Sequence, residues 1–158
     1  MNWQEVVDHP SLRNLPFKIE LNERGQIVMT PVKIRHSAFQ GRIGQLLSIL
    51  LNGGMILPEC AIATRKGTKV ADVAWASDEL FRQIQFETEA PIAPEICVEV
   101  TSTSNTTEEM AEKRQLYFEQ GAQEVWICRQ NGEMSFYSAT AELPTSELVP
   151  QFPHKITL

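Results

Sequence analysis

The chain has 158 residues, 42% of them hydrophobic and 22% charged, as expected of one globular domain long enough to bury a core. No stretch approaches the roughly 20 apolar residues that span a bilayer, and the opening MNWQEVVDHP lacks the apolar segment of a secretory leader. The formal net charge of −6 argues against a protein that wraps nucleic acid by general electrostatics.

In chain order, residues 3–9 read as one or two helical turns before Pro10. FKIEL (17–21) and QIVMT (26–30) flank NERG, a hairpin with Gly25 in its turn. From His36 the period becomes helical, with Phe39, Ile43, Leu46, Leu47 and Leu50 recurring at three and four, until Asn52-Gly53-Gly54. MILPECAIAT (55–64) and KVADVAW (69–75) read as antiparallel strands joined around Gly67. The cations Lys33, Arg35, Arg65, Lys66 and Lys69 read as solvated turn residues.

Residues 78–94 are less regular, with a short helix near 79–84. EICVEVT (95–101) is the next strand, aliphatic at Ile96, Val98 and Val100 and acidic at Glu95 and Glu99. A capping box follows, either Thr106 with Glu109 or Asn105 with Glu108, and opens a helix over about 107–120 that Gly121 stops. EVWIC (124–128) is apolar on both faces, like a central strand, and Asn131-Gly132 turns into EMSFYS. The Pro-punctuated tail from Ala141 carries no clear pattern. Strand, helix and strand over 95–128 form a βαβ crossover with parallel strands. The fold class is therefore α/β, a mixed sheet flanked by helices with core order helix-strand-strand-strand-helix-strand and an N-terminal hairpin, in one domain over 1–158. Cys60, Cys97 and Cys128 lie in apolar runs without metal spacing and read as reduced core thiols, which suits a cytoplasmic protein.

Two acids stand inside strand-like segments, Asp72 and Glu99. Asp is depleted from strands, and a buried carboxylate without a partner is costly. Each taken alone reads as an edge acid or as half of an ion pair; two in adjacent strands suggest a site. On the capped helix, at about 100° per residue, Met110, Leu116, Tyr117 and Phe118 share an arc that also holds Lys113 and Arg114. Periodicity does not choose between these two cations. Two carboxylates and an ammonium suit Mg²⁺ or Mn²⁺, hard cations that keep waters and bind phosphate oxygens, and so suit phosphodiester hydrolysis. No cysteine has an evident base, and no Gly-x-Ser-x-Gly elbow, Gly-x-Gly-x-x-Gly loop or Walker loop occurs.

ELNERGQIVMTP followed by His36, VADVAW, PEICVEVTSTSN, Lys113 and YFEQGAQEVWI, in this order over about residues 17–138, make the chain resemble the Uma-type restriction endonucleases of the PD-(D/E)XK nuclease superfamily. The resemblance implies a restriction-endonuclease-like core and a Mg²⁺- or Mn²⁺-dependent endonuclease acting on DNA. It implies Asp72 and Glu99 as metal ligands, with the carbonyl of Val100 as a third, and Lys113 as the catalytic lysine. The sequence departs from the superfamily pattern at Thr101, where a lysine normally follows the second acid, and at Ala71, where a proline precedes the first. His36 and Glu20 match positions kept in the Uma-type pattern; His36 reads either as a phosphate or water contact or as a polar helix start. Glu95 reads as an edge-facing acid. The rival reading is a catalytically inactive nuclease-fold module that binds DNA or protein, and a weaker one is a nuclease for RNA or nucleotide-sized substrates. Duplex cleavage needs two cuts, so a homodimer is expected.

Overall fold

The computed structural model describes residues 1–158. A short helix, α1 (Trp3–Asp8), is closed by a reciprocal cap between Asn2 and Glu5. Strands β1 (Phe17–Leu21) and β2 (Ile27–Pro31) form the expected hairpin, followed by α2 (Ile34–Leu50), which begins two residues before His36. Then come β3 (Met55–Thr64), β4 (Gly67–Ala76), α3 (Asp78–Ile84), β5 (Ile96–Val100), α4 (Thr107–Glu119), β6 (Glu124–Cys128), β7 (Met134–Tyr137) and β8 (Glu142–Leu143). Of the two possible capping boxes, Thr106 with Glu109 forms. Asn105 instead accepts from the Ser102 N–H at 2.8 Å and closes the loop between β5 and α4.

The main sheet has the order β3-β4-β5-β6-β7-β8. All its neighbours are antiparallel except β5 and β6, which pair in parallel across α4, as the crossover requires. The α2 face packs Phe39, Ile43 and Leu47 onto the sheet around Val98 and Trp126. The opposite face packs Tyr117 of α4 and Ile84 of α3 near Cys97 and Val125. The sheet therefore lies between helices, and β5 and β6 are buried on both sides. No helix is long and apolar enough to cross a membrane, and all three cysteines are unpaired.

Three features position the site. The β4–β5 register pairs Val73 with Val98 and Ala74 with Cys97, so one further step sets Asp72 opposite Glu99. The β1–β2 hairpin is a separate two-stranded sheet whose β1 lies against β4. Gly67 makes that approach possible: it has φ +88°, and a Cβ there would overlap the carbonyls of Leu21 and Asn22.

Two expectations need correction. Glu95 is not an edge acid, because β5 lies between β4 and β6. Its carboxylate accepts the Ser77 N–H at 3.0 Å, ahead of α3, and its carbonyl accepts the N–H groups of Gln123 and Glu124. The tail that carried no pattern supplies Val149, Phe152 and Ile156 to the core, with the Phe152 ring tilted against Trp126 at a centroid distance of 4.6 Å.

Candidate active site

Asp72 and Glu99 are both about 2% exposed, and both hold a cation. Lys18 Nζ lies 3.1 Å from Asp72 Oδ1 and 2.9 Å from Glu99 Oε2, joining the two acids. Lys113 Nζ lies 3.1 Å from Glu99 Oε1 and 2.7 Å from Glu20 Oε2. The Tyr117 hydroxyl donates to Glu99 Oε1 at 2.6 Å. Backbone groups complete the shell: Val100 N–H donates to Asp72 Oδ2 at 2.7 Å, and Val70 N–H donates to Glu20 Oε2 at 2.7 Å. His36 Nε2 stands 3.2 Å from Asp72 Oδ1. Lys18, Glu20, His36, Glu99, Val100 and Lys113 line a small cleft together with Thr30, Ser102 and Asn105.

Each side chain arrives for a local reason. Lys18 and Glu20 are two residues apart on β1, so they share the face turned toward β4. Lys113 and Tyr117 are four apart on α4, so they share the face turned toward β5. Arg114, one position round the helix, stacks over the Tyr137 ring 3.9 Å from its centroid instead. The structure thus brings Asp72, Glu99, Lys113, Glu20 and His36 together and leaves Arg114 outside. Thr101, two residues after Glu99, bonds within the sheet: its N–H donates to the Cys128 carbonyl at 2.9 Å and its hydroxyl to the same oxygen at 3.3 Å.

Sequence reasoning missed Lys18 and Tyr117. A signal existed for both. Lys18 alternates with Glu20 in FKIEL, a polar pair on one strand face, and Tyr117 sits one helical turn after Lys113. Neither spacing says what the pair faces.

The electrostatics separate the two acids. Burial would raise the Asp72 carboxyl, but Lys18 and then His36 outweigh it and hold it well below the usual carboxylate range. Glu20 is lowered likewise, with Lys113 and then Lys18 overcoming burial. Burial wins at Glu99, whose carboxyl is raised although Lys113 and Lys18 oppose the shift and the nearby acids add to it. Burial would lower the Lys18 ammonium, yet Glu99 and Asp72 hold it well above the ordinary lysine value. Burial, followed by the charge of Glu99, pushes the Tyr117 phenol up, so it remains a donor.

No three His, Cys, Asp or Glu side chains converge tightly enough to enclose a metal by themselves. The donor chemistry nonetheless fits a hard dication. One oxygen from each of Asp72 and Glu99 addresses a single point, which Lys18 Nζ occupies. Two carboxylates with room for water and phosphate oxygens form the usual Mg²⁺ set.

A six-stranded mixed sheet between helices, with its buried acids on β4 and β5 beside the single parallel pair β5–β6, matches a nuclease-like fold. A crystal structure described as a "putative nuclease belonging to DUF820" from Anabaena variabilis ATCC 29413 superposes with a TM-score of 0.75, covering 98% of this chain and 94% of that one at 14% identity. At that identity the likeness concerns the fold. The family model Uma2, "Putative restriction endonuclease", matches residues 3–156, and the chain belongs to that family. No curated protein matches the sequence.

Proposed function

We propose that the protein is a Mg²⁺- or Mn²⁺-dependent endonuclease that hydrolyses DNA phosphodiester bonds. The observation that carries this reading is the pair of buried carboxylates, Asp72 and Glu99, sharing one cation position on a fold and in a family described as nucleases. In this reading Asp72 and Glu99 hold the metal, with the Val100 carbonyl as a third oxygen. A bound dication supplies Lewis acidity toward the phosphoryl oxygen and a lowered pKa for an attached water.

The protein's own groups do the rest. Val100 N–H and His36 fix the Asp72 carboxylate, one on each oxygen. Tyr117 and Lys113 fix Glu99 through its Oε1, leaving Oε2 directed at the cation position. Lys113 opposes negative charge that develops on the phosphoryl group and orients the attacking water. Glu20 keeps the Lys113 ammonium in place, itself held by the Val70 N–H. His36 borders the cleft and, in this reading, contacts the phosphate.

The test is cleavage of plasmid and linear duplex DNA with Mg²⁺ or Mn²⁺ by wild type and by Asp72→Ala, Glu99→Ala and Lys113→Ala. Loss in all three supports the assignment; activity that survives all three removes it. Single-stranded DNA and RNA at matched salt identify the substrate class. DNA binding without cleavage in any condition indicates the inactive module. Sedimentation with and without duplex tests the expected homodimer.

A further inference from the structure

We propose that Lys18 is a displaceable internal cation: its ammonium holds the Asp72–Glu99 position in the metal-free protein, and a divalent ion binds only by exchanging with it. This deepens the metal-site reading above and rests on it.

Four observations support the exchange. First, Lys18 Nζ is the group that touches both acids, at 3.1 and 2.9 Å, so an ion taking one oxygen from each must stand where the ammonium stands. Second, three carboxylates (Glu20, Asp72 and Glu99) face two ammoniums (Lys18 and Lys113), leaving one negative charge unbalanced. Withdrawing Lys18 and admitting a dication balances the set, which favours exchange over addition in a buried site.

Third, Lys18 differs in kind from Lys113. Lys113 sits on α4 and has Glu20 as a second partner outside the shared position, at 2.7 Å. Lys18 has only the two prospective ligands. Its loss to a metal therefore frees Lys18 and leaves Lys113 anchored. Fourth, Lys18 projects from β1, part of a hairpin outside the main sheet, and lines the same cleft as Thr30, Ser102 and Asn105. A flexible four-carbon stem lets its head move to the cleft mouth without unpairing β1 from β2.

The consequence is a reduced apparent metal affinity. A site open in only a fraction of molecules binds more weakly by that fraction. Removing the ammonium while keeping the apolar stem removes that reduction.

The experiment is calorimetric titration of the full chain with Mn²⁺, without nucleic acid, for wild type, Lys18→Met, Lys18→Arg and the double variant Lys18→Met/Asp72→Ala. Lys18→Met is expected to bind Mn²⁺ about tenfold or more tightly than wild type. Lys18→Arg, which keeps a cation, is expected to bind no more tightly than wild type, and Asp72→Ala is expected to abolish the gain. Equal or weaker binding by Lys18→Met overturns the proposal, as does a gain that survives Asp72→Ala. If Lys18→Met is unfolded in metal-free buffer by circular dichroism, recovery of the fold on adding Mn²⁺ supports the exchange, and failure to recover overturns it. DNA cleavage is scored separately. Tighter Mn²⁺ binding with no cleavage by any variant leaves the exchange standing and removes the nuclease reading, while cleavage with unchanged Mn²⁺ affinity does the reverse.

Discussion

Two buried glutamates on neighbouring parallel strands have opposite surroundings. Glu99 on β5 is 2% exposed and Glu124 on β6 is 3% exposed. Glu124 is satisfied by neutral donors, namely the Trp126 indole N–H at 2.9 Å, the Ser146 hydroxyl at 2.7 Å, and the N–H groups of Glu147 and Leu148 at 3.0 and 2.7 Å. Three of those donors belong to the C-terminal tail, so Glu124 acts as a clamp that fixes Val149 and Phe152 over the core. Glu99 is satisfied by two lysine ammoniums and a phenol. A carboxylate held by fixed dipoles stays as it is; one held by charges on flexible side chains can exchange its partners. We propose that the type of donor, and not the degree of burial, separates the structural acid from the candidate metal ligand here.

The strongest way to break this comparison is to remove the acids. Asp72→Ala or Glu99→Ala is expected to reduce metal-dependent DNA cleavage to below about one-thousandth of wild type. Lys113→Ala is expected to cost about a hundredfold. Glu124→Gln is the counterpart: it places an amide nitrogen against backbone or side-chain donors and is expected to destabilise the fold by about 2–4 kcal/mol in urea unfolding. Mn²⁺ affinity should not change. A Glu124→Gln protein that keeps its stability but loses metal would invert the roles of the two residues.

The pH dependence sharpens the contrast within the site. Metal ligands bind as carboxylates, and Asp72 is ionised far below neutrality while Glu99 is raised above its ordinary 4.5. Mn²⁺ affinity should therefore rise with pH through the Glu99 titration, and Glu99→Gln should abolish the step. Stability of the metal-free protein has a different profile. Asp72 and Glu20 are lowered from ordinary values of 3.8 and 4.5, so the stability they contribute is present above that range and lost as pH falls through their folded values. Glu99 is raised, so its contribution has the opposite sign: present below 4.5 and lost as pH rises through its folded value. Acid titration of Asp72→Asn and Glu99→Gln separates the two. The smallest effect is expected for Arg114→Ala, about 0.5–1 kcal/mol from the lost stacking on Tyr137, with Mn²⁺ affinity unchanged.

Local pattern determined much of this protein. The periods of two and 3.6 set the hairpin, α2, α4 and the parallel β5–β6 pair, because each element's faces are written within a few consecutive residues. Asp72 and Glu99 stood out by the same rule, as acids within apolar strands. Their common position, however, depends on the β4–β5 register, and its occupant, Lys18, lies 81 residues before Glu99. The choice of Lys113 over Arg114 came from the rotation of α4 on the sheet, which moves one cation onto Glu99 and its neighbour onto Tyr137. The tail followed the same logic: its apolar residues have no period, and Glu124 gives them their place. Sequence spacing records which side chains share a face; only tertiary packing decides what that face meets, and a buried charge takes its role from what it meets.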